Sequence, residues 1–257
     1  MSQQQYPAIS REGDLFLWQT GKYADVRVTC RGQSMLLHRA ILSRCSWFKS
    51  RFDTLWPACD GFYDVRLDQF SPSLLQVILS FIYSTEVHHE KLTPGPRFDY
   101  ELLATLYDMG NHLTFETFKL ALLHIGTAVL NQTIEAIANV HPSRKYITGQ
   151  IDRILAGVKI AYSGIPEEQG ALRGLFVHFF MEIYESVVRD QRFYDDVRSF
   201  PMFLVDLQEK INLKNDGVPT EPWIHFIPFN AAKLNFIPIH GPELHDVKLS
   251  LLRVHIT

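Results

Sequence analysis

The feature that most constrains the fold is a change of hydrophobic period between Tyr23 and Tyr83. Val26, Val28 and Cys30 alternate with Asp25, Arg27 and Thr29, the pattern of a strand with one buried face. Arg31-Gly32-Gln33 supplies a turn in which Gly32 can take a positive φ, and Ser34 to Leu37 reads as a returning strand, so this opening predicts a hairpin. The spacing then turns helical over His38–Ser43, and Ser46 is expected to cap a second short helix carrying Trp47, Phe48 and Phe52. Tyr63, Val65 and Leu67 alternate with Asp64, Arg66 and Asp68 as a third strand. Ser71-Pro72 opens a helix with a hydroxyl cap and a proline in the first turn. Behind it Leu74, Leu75, Val77, Ile78, Phe81 and Ile82 form a wide apolar stripe.

This order of pieces resembles the BTB/POZ domain. The matching residues are Asp25-Val26, His38-Arg39 followed by Ala40-Ile41-Leu42, Ser46-x-Phe48 with Phe52, Val65-x-Leu67, and Phe81-Ile82-Tyr83. Leu102-Leu103, Leu106-Tyr107, Leu113 and Phe118 continue the match. Order and spacing carry the resemblance, not any single piece. It implies an α+β fold, a small mixed sheet wrapped by helices, over residues 22–130. Around it we expect an N-terminal extension at 1–21, a mostly helical extension at 131–214 and an irregular apolar tail at 215–257. Where the family usually has a tight glycine turn after Phe-Ile-Tyr, this chain has Ser84-Thr85-Glu86, so an altered turn is expected.

Before the domain, residues 1–14 read as a loose tail, followed by the apolar cluster Leu15, Phe16, Leu17 and Trp18. In some BTB proteins this segment swaps across a dimer interface, which makes these four residues a candidate dimer segment. The alternative is that they pack on their own domain. After Tyr83, residues 88–99 are polar with two prolines and a glycine and read as an exposed loop. The helix expected from Tyr100 stops at Gly110-Asn111, and Thr114 caps the next, which runs to about Leu130. A second helical region follows. Ile147, Ile151, Ile154, Leu155 and Val158 make one stripe, and Gly164-Ile165-Pro166 a break. Leu172, Leu175, Phe176, Phe179, Phe180, Ile183, Tyr184 and Val187 make a broader stripe, and Pro201 opens a further helix with Phe203, Leu204, Leu207 and Ile211. The stretch around Leu172-Arg173 resembles the region that follows the domain in short fungal BTB proteins.

The bulk numbers restrict function more by exclusion. Of 257 residues, 46% are hydrophobic and 21% charged, and the net charge of −3 gives no electrostatic footprint for nucleic acid. No continuous apolar run of membrane-spanning length stands out, and the first residues lack the apolar core of a secretory signal. Cys30, Cys45 and Cys59 are an odd number of cysteines, so reduced thiols in cytoplasm or nucleus are expected. The histidines do not form ligand spacings. His88-His89-Glu90 cannot easily converge on one ion, and His38 reads as a core residue. Hydrolase elbow, phosphate-binding loop, dinucleotide fingerprint and zincin motif are not found, so no catalytic residue, metal, cofactor or small-molecule substrate is expected.

The expected partners are other proteins. The resemblance implies two kinds. In many BTB proteins the loop after the Ser-x-Phe step binds the amino-terminal helices of a cullin, so Phe52, Leu55, Trp56 and Phe62 form the candidate cullin-facing surface of a ubiquitin-ligase adaptor. Adaptors often carry a hydrophobic residue, any residue, then Glu there. Here the triplet is Trp56-Pro57-Ala58, with the anchor present and the Glu absent. The alternative is a homo- or hetero-oligomeric scaffold, with transcriptional or other regulatory partners and no cullin. Asp25 and Arg39 match family positions that form a charged pocket near the dimer interface. They are expected as a buried pair that either recognises a partner or fixes the hairpin against the first helix.

Overall fold

The computed structural model describes residues 11–87, 92, 98–139, 144–187 and 196–214. The expectations for residues 1–10, for His88-His89-Glu90 and most of the loop at 88–99, and for the tail at 215–257 lie outside them, as do the side chains of Ile147, Tyr184, Val187 and Ile211. Where that loop is described it departs from the expected exposure, since Leu92 and Phe98 are buried apolar side chains. The chain divides into two compact units, one drawn from Met1–His89 and Met109–Ala121, the other from Glu90–Asp108 and Leu122–Leu252.

The first unit is built on three strands, β1 (Val26–Cys30), β2 (Gln33–Leu37) and β3 (Tyr63–Arg66), in the order β2-β1-β3. β1 and β2 form the expected hairpin, antiparallel with Val26 opposite Leu37 and Cys30 opposite Gln33. Its two turn residues, Arg31 at φ 47° and Gly32 at φ 80°, both sit in the left-handed region, which matches the twist of the flanking strands. β3 pairs with β1 in parallel, Val26 opposite Tyr63 and Val28 opposite Val65. A parallel neighbour needs a crossover. The helices α2 (Arg39–Leu42) and α3 (Ser46–Phe52) supply it. Val26, Val28, Cys30, Leu37 and Val65 point inward and are buried, as the alternation predicts.

Preceding the sheet, α1 (Arg11–Thr20) occupies part of the stretch expected to be a loose tail. It packs on α4 (Pro72–Ser84). α4 begins as predicted: Ser71 Oγ accepts from the Leu74 amide at 3.3 Å with Pro72 in the first turn. It ends at Thr85, which takes φ 56°, so a threonine holds the left-handed position that usually favours glycine. Ser46 departs from its expected role. Cys45 is the cap residue of α3 and makes no side-chain cap bond, while Ser46 Oγ donates to the Thr114 carbonyl at 2.8 Å. The hydroxyl is the first residue inside the helix and reaches outward to a distant loop.

Two helix limits differ from the sequence reading. α5 (Tyr100–His112) runs through Gly110 and Asn111. A Cβ on Gly110 would stand 2.8 Å from the Lys119 side chain, so this glycine admits a neighbour and does not end the helix. α6 (Glu116–Asn139) continues nine residues past the expected end at Leu130. Within this continuation the Thr133 hydroxyl is satisfied locally, donating to the Val129 carbonyl at 2.9 Å. By length and composition α6 over Glu116–Ile137 could also cross a bilayer, where the sequence shows no uninterrupted apolar run. Lys119, His124, Gln132 and Glu135 break that run, and Phe118, Leu122, Ile125 and Leu130 are buried, as in a core helix.

In the second unit, α7 (Arg144–Ser163), α8 (Pro166–Val187) and α9 (Pro201–Lys214) pack on one another. Pro166 opens α8 after the predicted break at Gly164-Ile165. Ile151, Ile154, Leu155 and Val158 from α7, Phe176, Phe179, Phe180 and Ile183 from α8, and Phe203 and Leu207 from α9 are buried. Arg173 is buried too. Its guanidinium donates to the Ala161 carbonyl at 3.0 Å and the Gly164 carbonyl at 3.3 Å, and lies 4.5 Å over the Tyr162 ring. It thereby satisfies carbonyls at the C-terminus of α7, where the helix dipole favours a cation.

Candidate partner-binding surface

The loop between α3 and β3 presents the most exposed large hydrophobic side chain described. Trp56 is 89% exposed, next to the stiff backbone of Pro57. The loop is nevertheless built. Its start continues the helix, with the Leu55 amide bonded to the Arg51 carbonyl at 3.0 Å. Its end is closed by the Ala58 amide on the Phe62 carbonyl at 2.7 Å and the Gly61 amide on the Ala58 carbonyl at 2.8 Å. Gly61 sits at φ 85°, where a side chain would strain the turn. Asp60 Oδ1 accepts from the Phe62 amide at 3.2 Å, the local bond that makes aspartate a turn residue.

Of the four residues expected to face a partner, Trp56 is exposed, and Leu55 and Phe62 are half-buried. Phe52 is a correction. It is only 8% exposed, stacked on Phe48 at 6.1 Å and edge-on to Tyr63 at 5.9 Å. It lies on the inner side of α3 and roots the loop in the core.

The expected buried pair is a second correction. Asp25 is half-buried and Arg39 exposed, and they do not form an ion pair. Asp25 Oδ1 accepts from the Arg39 backbone amide at 2.7 Å, satisfying an otherwise orphaned donor in the first turn of α2. The Arg39 guanidinium turns outward, donating to Tyr63 Oη at 2.9 Å and lying 4.9 Å over that ring. Asp25 does tie strand to helix, but through the backbone.

A buried carboxylate does occur elsewhere. Asp14 on α1 has a side chain only 3% exposed and pairs with Arg44 at 2.7 Å. Arg44 also donates to the Ile82 carbonyl at 3.3 Å. Along α1, Leu15, Leu17 and Trp18 are half-buried, with Trp18 against Tyr83 at 5.1 Å, whereas Phe16 is 53% exposed. His38 is buried as expected. Lys22 O can only accept, so Nε2 donates to it at 2.7 Å and Nδ1 accepts from Tyr83 Oη at 2.8 Å. Tyr83 Oη in turn accepts from the His38 amide. Burial pushes the Tyr83 phenol well above its ordinary range, with Asp25 and Asp14 adding to the shift and the His38 backbone bond opposing it.

Sequence reasoning passed over Arg27. It stands at the centre of the outer sheet face, opposite Leu36 on β2 and Asp64 on β3. Its two terminal nitrogens reach Asp60 at 2.5 Å and Asp64 at 3.1 Å, and its guanidinium lies 5.0 Å over the Phe62 ring. The hydrogen bond from Arg27 holds the Asp60 carboxyl below the usual carboxylate range. The available signal was the like phase of Arg27 and Asp64 on their strands, readable only once β1 and β3 are known to run in parallel. Among the described residues no group of three or more His, Cys, Asp or Glu could hold a metal ion.

A small α+β domain that displays an aromatic loop on a pinned turn has the form of a protein-interaction module. The BTB/POZ domain family model matches residues 16–114, and the chain carries a BTB/POZ domain there. The Mus musculus Influenza virus NS1A-binding protein homolog is 27% identical over 103 residues, 40% of this chain and 15% of that protein. The Xenopus laevis homolog is 31% identical over 74 residues, 29% of this chain and 12% of that protein. The Homo sapiens Influenza virus NS1A-binding protein is 26% identical over 103 residues, again 40% and 15%. The similarity thus spans about 15% or less of the length of these relatives. Among solved structures, the BTB domain of zebrafish PATZ1 is similar at 18% identity and a TM-score of 0.34, covering 47% of this chain and 95% of that one.

Proposed function

We propose that this BTB/POZ domain docks on the amino-terminal helical region of a cullin through the Trp56 loop, so that the chain serves as a substrate adaptor of a ubiquitin ligase. The observation that carries the reading is the 89% exposure of Trp56 on a loop closed by backbone bonds. A tryptophan left in water is a ready anchor, because its large face is buried only when a partner pocket covers it. Ala58 stands where adaptors often carry Glu, so the contact rests on the aromatic anchor. Residues 131–257 would then select the substrate. The free, exposed thiol of Cys59 suits a reducing cytoplasm or nucleus.

Calorimetric titration with the amino-terminal domain of the host's cullin tests this. Stoichiometric binding is expected for the intact chain, and Trp56→Ala should weaken it by at least about tenfold, the loss of a hot-spot aromatic. The circular dichroism spectrum and melting should not change, since the side chain packs on little. Absence of heat at high micromolar concentration with a folded chain would overturn the adaptor reading. A second reading, self-association as an oligomeric scaffold, is favoured by Phe16, 53% exposed on α1. Phe16→Ser would then lower the mass seen in sedimentation.

A further inference from the structure

We propose that Arg27 is the positioning residue of the partner-binding loop: its guanidinium fork holds Asp60 and Asp64 together and so keeps Trp56 presented before any partner arrives. The inference rests on the reading of the Trp56 loop as the docking surface. Arg27 belongs to the central strand, paired on both sides, so its backbone is as immobile as any in the sheet. Asp60 belongs to the loop. The Arg27 Nη2–Asp60 Oδ2 contact therefore ties the loop to the central strand, 33 residues apart in sequence.

The fork is used in full. Nη2 takes Asp60, Nη1 takes Asp64 at 3.1 Å, and the flat face covers Phe62, the residue whose carbonyl and amide both close the loop. Lysine, whose three donors sit on one compact ammonium nitrogen, lacks the flat fork that takes both carboxylates and covers the ring at once. Asp60 is likewise used twice, with Oδ2 on Arg27 and Oδ1 on the Phe62 amide. Side-chain exposures of 31% for Arg27, 49% for Asp60 and 47% for Asp64 place the cluster at the water boundary, where ion pairs add little to global stability. Its effect falls instead on the number of shapes the loop can take. Ordering a loop before binding removes a cost otherwise met at the moment of contact.

The test combines hydrogen exchange with binding in the full chain. Arg27→Ala should speed exchange of the Ala58 and Gly61 amides about tenfold, with the β1–β2 ladder amides and the urea midpoint unmoved, and should weaken binding of the cullin amino-terminal domain about tenfold. Asp60→Asn should do much the same, and the double variant little more than either alone. Arg27→Lys should recover only part of the protection. Unchanged loop exchange in Arg27→Ala, additive effects in the double variant, or a parallel loss of protection in the β1–β2 ladder would overturn the proposal. The exchange measurement needs no partner. If the unaltered chain fails to bind cullin, the adaptor reading falls, while the exchange of Ala58 and Gly61 still decides whether Arg27 sets the loop.

Discussion

The two units solve the same packing problem by different means. In the first, a three-stranded sheet and its helices are tied by polar groups far apart in sequence: His38 to Tyr83, Asp14 to Arg44, Asp25 to the Arg39 amide. In the second, helices meet through aromatic rings. Phe180 lies edge-on to both Phe179 and Phe203 at 5.3 Å, and Tyr162 is edge-on to Phe203 at 5.6 Å. Polar side chains serve mainly at helix ends and flanks, as with Arg173, and with Tyr162 donating to Asp206 at 2.6 Å. A helix satisfies its own backbone except at its termini, so it needs partners only for its stripe and its ends. A short strand satisfies nothing alone, and the junctions between strand and helix must be fixed by added bonds.

Truncation should separate the two designs. Phe180→Ala, which empties the centre of the aromatic cluster, should cost about 3–5 kcal/mol in urea unfolding. A smaller loss would mean that the second unit tolerates loose packing. In the first unit the largest effect is expected from Arg44→Ala, about 3 kcal/mol, because it strands Asp14, whose Oδ1 already lacks a hydrogen-bond partner. Asp14→Ala should cost only about 1 kcal/mol, since the Arg44 side chain is 40% exposed and can be rehydrated. Equal losses from both would contradict this asymmetry.

Acid and base give finer distinctions. Both units hold a tyrosine whose phenol is raised, Tyr83 by burial and Tyr162 by burial together with its bond to Asp206. A raised phenol favours the neutral folded form. Each contribution is therefore complete below the unfolded value of about 10 and is lost as pH rises beyond it. Tyr83→Phe should cost about 1–2 kcal/mol at neutral pH through its lost bonds to His38, and it should flatten part of the alkaline decline. The smallest effect is on the acid side. Burial lowers the His178 pKa, with Glu182 opposing, so this histidine contributes stability above about 6.5 that is lost as pH falls through its lowered folded value. His178→Gln should reduce that acid sensitivity, measured as the slope of the urea midpoint against pH.

Much of the framework was legible because periodicity is local. The alternation at Val26, Val28 and Cys30, the Arg31-Gly32 turn, the Ser71-Pro72 start of α4 and the Phe-rich stripe of α8 all follow from backbone geometry over a few residues. Helix limits were harder to read where a glycine had two possible uses. Gly110 looks like a stop signal, but serves to admit Lys119 inside a continuous helix. Gly157 is similar, since a Cβ there would stand 2.8 Å from the Tyr100 carbonyl, a contact with backbone invisible to any pattern in α7.

The amino-acid order was sufficient for the strand–turn–strand opening, the crossover helices and the BTB/POZ resemblance, because each depends on which face a residue occupies within its own element. It also singled out Trp56 as a candidate contact residue, and the fold leaves that side chain exposed. It could not show that Asp25 caps α2 through the backbone, that Asp14 is the buried carboxylate, or that Arg27 reaches across to Asp60. The hairpin register sets the first, over 14 residues, while the docking of α1 on α4 and the parallel register of β3 on β1 set the other two, bringing side chains together from 30 or more residues apart. Charged side chains of one type look alike in a sequence. Which carboxylate meets which guanidinium depends on distances of a few ångströms, and those exist only after the chain has folded.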